Sequence, residues 1–319
     1  MQPQSALSIA AILPTFRRDI YLLQSIQSLL EQTRRPDEII VIDQTSPEDQ
    51  DSETRLALGK LEHSGLIQMV HLHPPAVSVA RNLAACTAKS EILLYLDDDI
   101  IAEKSLVENH LRNFHDPEVH GVAGGCITPT DKTFYPVPPG FTHRNPVWQA
   151  FYHTRFDRPL QNICFMAGCN FSVRRESLIK AWGWDEHIIN YGDRDLGIRL
   201  VQAGFRLDYD PEALLTHLAA PTGGTRVKDP KTPWKGYLRC ISIFYLAFRH
   251  LSNNPNMFIR FGLWRGARFS FLLRDNLLRP WRWPKELAAY FFALAKAYRW
   301  GLQGVKSPFR ICTQVRNQK

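Results

Sequence analysis

Three consecutive carboxylates, Asp97, Asp98 and Asp99, directly follow an unbroken apolar run at Ile92–Leu96. Such a run is typical of a strand that is buried on both faces, as in a parallel sheet covered by helices. Because unpaired buried charges are costly, the acids must lie where the strand ends and a solvent crevice begins. Converging carboxylates repel each other, and a hard divalent cation, Mg²⁺ or Mn²⁺, would neutralise them. The alternative is that they cap a helix starting near Ala102.

The segments before this strand alternate in type, as judged from their apolar spacing. The predicted elements are strands at 7–13, 38–43 and 67–71 and helices at 20–32, 54–63 and 77–89. A strand, a helix and a strand in close succession form a parallel, right-handed βαβ unit. The sequence therefore predicts an α/β fold with a Rossmann-like, doubly wound and mostly parallel sheet, whose first half binds a nucleotide.

The strand ends in this half carry acids rather than glycine-rich loops. No GxGxxG or GxxxxGK[ST] motif follows a predicted strand, which argues against dinucleotide cofactors and P-loop chemistry. Asp43 ends the second strand, so one carboxylate is available for a base or ribose while the acids at 97–99 hold a metal. This arrangement fits a nucleotide diphosphate. A nucleotidyltransferase would need a basic, glycine-rich loop after the first strand, where this chain has Pro14-Thr15-Phe16-Arg17-Arg18.

Four motifs occur in the order and at the spacing of family 2 glycosyltransferases. They are Pro14-Thr15-Phe16, a strand that ends in Val41-Ile42-Asp43, Ala80-Arg81-Asn82, and Leu96–Asp99. The chain resembles this family in its bacterial type. The resemblance implies a GT-A fold in which Asp97 and Asp99 bind a divalent metal, Mn²⁺ or Mg²⁺, on the diphosphate of the donor. It also implies that Asp43 contacts the nucleoside and that the nucleotide lies near Thr15, Arg17, Arg81, Asp97 and Asp98.

The second half carries a further run that resembles the family signature N-x-[ST], GGFDE and ED-x-DL-x-x-R. The usual Glu-Asp pair is Gly192-Asp193 here, so only its second acid is kept. In inverting transfer a carboxylate must accept the proton of the attacking hydroxyl. The resemblance implies that Asp193 is this base, with Asp195 or Glu186 as alternatives. In the non-catalytic interpretation, Asp193 is a capping or first-turn acid of a helix.

Two segments flank this region. The family commonly has a histidine after the second signature, which implies that His217 completes the metal shell. Residues 223–226, Gly-Gly-Thr-Arg, form either a lid over the diphosphate or a linker between domains. The proline-rich stretch 129–159 also holds several aromatic residues, and it predicts a long loop beside the acceptor.

Positive charge is concentrated at the C-terminal end. Residues 226–319 contain 19 Lys and Arg against three acids, a net charge of +16, whereas residues 1–225 carry −8. Helices are predicted at about 235–252, 256–278 and 285–302, with tryptophans and arginines of the kind found at membrane surfaces. We therefore expect a GT-A catalytic domain at 1–226 and a basic amphipathic helical region at 227–319. We expect this region to bind an anionic membrane surface or, alternatively, to pack on the catalytic domain or on a second protomer. Nucleic acid is disfavoured because no nucleic-acid-binding motif is present.

The same sequence indicates a cytoplasmic location, at the inner face of the membrane. It has no basic n-region with a cleavage site and no apolar window of spanning length, which argues against a secretory signal and a spanning helix. The six cysteines lack zinc-site spacing and are expected to be reduced, and Cys164 and Cys169 are expected to be buried.

Together these features predict an inverting, metal-dependent glycosyltransferase of the hexosyltransferase type. It would move a sugar from a nucleotide-diphospho-sugar to a hydroxyl of a glycan or lipid-linked acceptor, in polysaccharide biosynthesis. The alternative is a catalytically silent GT-A-like protein that binds a nucleotide sugar within a complex. Gly192, in place of the usual Glu, keeps this alternative open.

Overall fold

The computed structural model describes residues 7–141, 149, 155–224, 237–269 and 280–309. Some sequence-based predictions fall on the remaining residues and lie outside this description. They are Thr225 and Arg226 of the lid-or-linker segment, the predicted helix beyond residue 269, Cys312, and the loop aromatics Trp148, Phe151 and Tyr152.

Eight strands form one sheet in the order β3-β2-β1-β4-β7-β6-β8-β5. The strands are β1 (Ile9–Thr15), β2 (Glu38–Asp43), β3 (Gln68–His71), β4 (Ile92–Leu96), β5 (Ile100–Ala102), β6 (Val119–Ile127), β7 (Asn170–Arg174) and β8 (Arg206–His217). The first four are mutually parallel, with β1 between β2 and β4. The other half is mixed, because β7 runs antiparallel to β4 and β6, β8 runs parallel to β6, and β5 runs antiparallel to β8.

The helices in the first part of the chain cover the sheet, and the helices from residue 237 onward form a separate layer. They are α1 (Asp19–Leu30), α2 (Ser52–His63), α3 (Val77–Thr87), α4 (Leu106–Asn113), α5 (Arg175–Lys180), α6 (Gly192–Gln202), α7 (Tyr237–His250), α8 (Pro255–Met257), α9 (Arg265–Phe269) and α10 (Trp283–Gln303). A π-helical turn, Phe258–Trp264, joins α8 to α9. The α/β class, the Rossmann-like half and the helical C-terminal region agree with the sequence-based prediction.

The strands of the parallel half form because their residues are apolar on both faces. All side chains of β1 and β4 are buried, and apolar clusters lie on both sides of the sheet. The alternative in which the acids cap a helix starting near Ala102 does not hold, since residues 100–102 form β5 and α4 begins only at Leu106. The acids at 97–99 therefore do not cap that helix.

The longest strand is β8, which contains a proline at position 211. Its register against β6 shifts between Gly124 and Gly125. A Cβ atom on Gly124 would lie 2.3 Å from the carbonyl oxygen of Ala213, and one on Gly125 would lie 2.8 Å from that of Pro211. The glycines thus let the irregular backbone of β8, with its proline, stay paired with β6.

The C-terminal helices pack through α7 on the segment that precedes α6. Ile188, which precedes α6, joins an apolar cluster with Phe244 of α7 and Ala293 of α10. Buried polar contacts reinforce this packing, since the Tyr245 hydroxyl donates to Asp185 at 2.6 Å. The expected domain boundary at 226 falls outside the described residues and stays a prediction. Among the helices that the structure describes, none has the length and apolarity needed to cross a bilayer.

His110 on α4 is completely buried in a polar network with β7, β6 and β8 of the mixed half of the sheet. Its Nε2 lies 2.8 Å from Asn170 Oδ1, and its Nδ1 lies 2.8 Å from the Ser172 hydroxyl. The amide nitrogen of Asn170 already donates to Gly125 and Ala213, so Oδ1 is the acceptor and Nε2 carries the ring proton. Burial lowers the pKa of His110 from 6.5 to about 4, because the charged ring would lose its hydration.

This histidine should make the fold sensitive to acid. Below pH 6.5, the ordinary pKa of histidine, His110 binds a proton in the unfolded chain, whereas in the folded chain it stays neutral until about pH 4. The free energy of unfolding therefore falls between about pH 6.5 and pH 4, by about 3 kcal/mol from this group. Urea denaturation at pH 7 and pH 4.5 measures it, with His110→Gln as the variant that keeps an amide but cannot titrate. Between these pH values the free energy of unfolding should fall by about 2 kcal/mol less in the variant than in the wild type. An equal fall in both proteins would contradict the account.

Candidate active site

The three consecutive acids leave β4 in the middle of the sheet, between β1 and β7. Successive side chains of an extended chain point to opposite sides, and Asp97 and Asp99 meet His217 while Asp98 does not. His217 Nε2 lies 3.4 Å from an oxygen of Asp97 and 3.4 Å from one of Asp99. Ligand atoms of these three residues all lie within 4.8 Å of one another. Two carboxylates and an imidazole at this separation are a suitable donor set for a divalent cation.

The end of β8 holds His217 in this position. His217 is the register partner of Ile100, and Asp99 accepts from the backbone N–H groups of Leu218 and Ala220, at 2.8 Å each. The N–H of Ala219 donates to His217 Nδ1 at 3.0 Å, so in the neutral ring Nε2 carries the proton that faces the acids. If a cation bound to Nε2, this proton would have to move to Nδ1, and the hydrogen bond from the Ala219 N–H to Nδ1 would be lost. Burial lowers the pKa of His217, but the hydrogen bond and charge of Asp97 outweigh burial and raise it.

Asp98 faces the other side and is neutralised within the protein. It accepts from the Thr15 hydroxyl at 2.7 Å and from Arg18 Nη1 at 2.8 Å. Arg18 also lies 3.1 Å from Asp99 and donates to the carbonyl oxygen of Thr222 at 2.8 Å. Burial raises the pKa of Asp98 to about 6, although Arg18 and Thr15 both oppose that rise. Arg18 thus ties two of the acids to the segment that follows β8.

Arg81 connects the acids to the second half of the site. Its Nη2 lies 3.4 Å from Asp97 and donates to the carbonyl oxygen of Gly168 at 3.1 Å, while its guanidinium stacks on Trp184 at 4.3 Å. The N–H of Gly168 donates to Asp193 at 3.2 Å. One arginine and one glycine therefore join Asp97 to Asp193. A side chain at position 168 would collide with Arg81, because a Cβ there would be 2.7 Å from Nη2.

The candidate bases differ in their surroundings. Asp193 lies in the first turn of α6 and is partly exposed. Asp195 is completely buried and is bound by Arg199 at 2.7 Å and His250 at 2.9 Å, and these cations outweigh burial and hold its pKa well below the usual range. Glu186 is partly exposed and accepts from the Asn82 amide at 3.2 Å.

Asp43, which was expected to contact the nucleoside, lies at the end of β2. Its side chain is buried, accepts from the backbone N–H of Thr45 at 2.9 Å and forms an ion pair with Arg55 of α2. His71, at the end of β3, lies 3.4 Å from the same carboxylate. Arg17, which was expected near the nucleotide, forms an ion pair with Asp49 at 2.6 Å.

Several residues of this site were missed by sequence reasoning. Arg18 and Arg55, rather than Arg17, neutralise the acids at the strand ends. Arg17 and Arg18 are adjacent, Arg17 has a positive φ of 58°, and the two side chains meet different partners. Cys169, expected to be buried, is partly exposed, and its Sγ donates to Cys126 Sγ at 3.6 Å.

Comparison with known proteins decides the family. A model described as glycosyl transferase family 2 matches residues 10–182, which is more than half of the chain. The chain belongs to glycosyl transferase family 2. The match spans the acids after β4, Arg81 and Gly168, and it ends before α6. The predicted family is thus confirmed.

Bacterial glycosyltransferases are among the relatives of this family 2 chain. It is 28% identical over 167 residues to the pre-mycofactocin glycosyltransferase of Mycobacterium tuberculosis, covering 49% of this chain and 33% of the relative. It is 25% identical over 215 residues to the O-antigen chain rhamnosyltransferase RfbN of Salmonella typhimurium, covering 66% of each. It is 31% identical over 144 residues to the N-acetylglucosaminyl-diphospho-decaprenol L-rhamnosyltransferase of M. tuberculosis, covering 43% of this chain and 42% of the relative. The matches thus span from one third to about two thirds of these relatives.

Solved glycosyltransferase structures share the fold at low sequence identity. The mannosyltransferase of Pyrobaculum calidifontis in complex with GDP-Man and Mn²⁺ aligns over 99% of this chain and 81% of its own, with a TM-score of 0.52 and 16% identity. A structure of S. aureus TarS aligns over 90% of this chain and 81% of its own, with a TM-score of 0.58 and 15% identity. These similarities confirm the GT-A fold.

The different partners of the two adjacent arginines predict different costs of removal. Arg18→Gln leaves Asp98 and Asp99 without their buried cation, and should lower the free energy of unfolding by about 3 kcal/mol. Arg17→Gln, the matched control, removes an exposed pair with Asp49 and should cost less than about 1 kcal/mol. Denaturation in urea at pH 7.5 measures both. Equal stabilities of the two variants would refute the role given to Arg18.

Proposed function

We propose that this family 2 chain is an inverting, metal-dependent glycosyltransferase that uses a nucleotide-diphospho-sugar donor. The observation that carries the proposal is the convergence of Asp97, Asp99 and His217 within 4.8 Å, linked through Arg81 and Gly168 to Asp193. A cation site and a proton acceptor on opposite sides of one arginine are the two groups that sugar transfer from a diphosphate requires.

The donor would be bound by the first half of the sheet. Asp97, Asp99 and His217 would hold Mn²⁺ or Mg²⁺, which would supply positive charge to the leaving diphosphate. Arg81 would add a second cation on the same side, because its guanidinium already lies near Asp97. Asp43 would meet the nucleoside, with Arg55 holding its carboxylate in place. Thr15 and Asp98 would support the floor of the nucleotide site, and Arg17 would lie at its edge.

The acceptor would be activated by Asp193. Its carboxylate is partly exposed and is oriented by the N–H of Gly168, so it can take the proton of an attacking hydroxyl. Asp195 cannot easily serve in its place, since it is buried and bound by Arg199 and His250. The backbone does not require glycine at position 192, because a Cβ there would make only ordinary contacts, at 3.5 Å or more.

The acceptor class is proposed from the relatives. Two of them are an O-antigen chain rhamnosyltransferase and an N-acetylglucosaminyl-diphospho-decaprenol L-rhamnosyltransferase. We therefore assign this chain a hydroxyl acceptor on a lipid-linked or cell-surface glycan, in polysaccharide biosynthesis. A lipid-linked acceptor would place the enzyme on the inner face of the cell membrane, facing the cytoplasm.

Two substitutions should separate the base from the metal site. Asp193→Asn should lower the rate of transfer by about 100-fold or more while Mn²⁺-dependent nucleotide binding stays within about twofold, because only proton removal is affected. Asp97→Asn should weaken Mn²⁺-dependent nucleotide binding itself. Glu186→Gln is the control for the alternative base and should retain transfer. Normal turnover by Asp193→Asn, or loss of transfer by Glu186→Gln alone, would show that the base is assigned wrongly.

The outer face of α10 supports peripheral binding to an anionic membrane. Its most exposed apolar side chains, at 59–72% exposure, are Phe291, Phe292 and Leu302. Exposed cations flank them, namely Lys285, Lys296 and Arg299. Apolar rings beside cations are typical of a helix that lies in a bilayer interface. Anionic lipid is the partner that matches the net charge of +16 in residues 226–319.

Vesicle flotation tests this surface. The double variant Phe291→Ser/Phe292→Ser should bind vesicles of phosphatidylglycerol and phosphatidylcholine about tenfold more weakly than the wild type, because less apolar area enters the interface. Leu56→Ser is the matched control, since Leu56 is 70% exposed on α2 of the catalytic half. Equal binding by the double variant and the wild type would contradict the assignment. So would concentration-dependent dimerisation through Phe291 and Phe292 without any vesicle binding.

A further inference from the structure

Two thiols lie side by side next to the proposed catalytic residues. Cys126 belongs to β6, and Cys169 directly precedes β7, the strand paired with β6. The Sγ of Cys169 donates to the Sγ of Cys126 at 3.6 Å, and both residues are partly exposed. Cys164 and Cys240 are buried elsewhere, and Cys86 is exposed on α3. Neither thiol of the close pair has a part in the proposed transfer reaction.

The backbone beside Cys169 holds the proposed base and the proposed diphosphate ligand. Gly168 donates its N–H to Asp193 at 3.2 Å, and its carbonyl oxygen accepts from Arg81 at 3.1 Å. The backbone of Gly168 lies against the Arg81 guanidinium, since a Cβ on Gly168 would be 2.7 Å from Arg81 Nη2. A displacement of residues 168–169 would therefore alter the position of both catalytic groups.

We propose that Cys126 and Cys169 form a reversible disulfide that switches the transferase off. The oxidant is a small-molecule disulfide such as oxidised glutathione. One thiol, as its thiolate, attacks the oxidant to give a mixed disulfide and one released thiol. The second thiol then attacks the protein sulfur of the mixed disulfide and releases the other. The two protein thiols thus lose two electrons and two protons, and the oxidant is reduced to two thiols. The effect on sugar transfer rests on the proposed function; the disulfide itself does not.

The structure indicates which side of the pair moves. The sulfur atoms must approach from 3.6 Å to about 2 Å. Cys126 is held within β6 by its pairing with Leu215 of β8, and the pairing of β6 with β7 ends three residues earlier, at Ala123. Cys169 lies within the turn that is closed by the pairing of Ala167 with Asn170. The shift should therefore fall on Gly168 and Cys169. A displacement of about 1 Å at a reacting group can cost about 100-fold in rate.

The experiment oxidises the full-length protein with oxidised glutathione and follows three readouts. They are the mass of the disulfide-linked peptides, hydrogen exchange in the peptide that contains Gly168, and sugar transfer before and after dithiothreitol. We expect a Cys126–Cys169 linkage with the loss of two hydrogens, faster exchange at Gly168, and about 100-fold slower transfer that dithiothreitol restores. Cys126→Ser and Cys169→Ser should resist this inactivation, whereas Cys86→Ser, the matched control, should be inactivated like the wild type.

The readouts distinguish this proposal from the proposed function. If no Cys126–Cys169 linkage forms, or if it forms without a change in exchange at Gly168, the switch is refuted. Inactivation of Cys169→Ser to the same extent as the wild type would refute it as well. If the linkage and the faster exchange appear but the reduced protein transfers no sugar with any donor tested, the disulfide stands and the proposed function fails.

Discussion

The structure depends on the neutralisation of three consecutive carboxylates at the end of a buried strand. Asp98 and Asp99 are almost fully buried, and such charges are tolerated only when they are paired. Their cations come from distant parts of the chain, because Arg18 follows β1 and His217 ends β8. Arg81, from α3, meets the third acid. Formation of the acid cluster therefore requires both halves of the sheet to be in place.

A second set of buried charges extends this dependence to the C-terminal helices. Asp195 of α6 is bound by His250 of α7, and Asp185, in the segment before α6, accepts from Tyr245 of the same helix. The C-terminal region thus holds α6, the helix that carries Asp193, in position. These helices have a structural function close to the proposed base, whatever surface their outer face binds. If that face lies on a membrane, the base and the bilayer are connected through α7.

The general plan of the fold could be predicted from the sequence, because apolar periodicity and the acids at strand ends depend on local sequence. The convergence of Asp97, Asp99 and His217 was expected from a family resemblance, and the structure brings these residues together. The choice between Arg17 and Arg18 could not be predicted, because the partners of Arg18, Asp98 and Asp99, are far away in sequence. The Cys126–Cys169 pair could not be predicted from the sequence either, because the two residues are brought together by the antiparallel pairing of β6 and β7.

Metal-dependent binding of a nucleotide is the central claim, and calorimetric titration of the wild-type protein tests it most directly. UDP, GDP and dTDP would each be titrated with Mn²⁺ and again with EDTA. The account predicts that one of the three binds in Mn²⁺ and that EDTA abolishes this binding, because the diphosphate would meet Asp97 and Asp99 without a cation between them. Binding of equal strength in EDTA, or no binding of any of the three by folded protein, would contradict it.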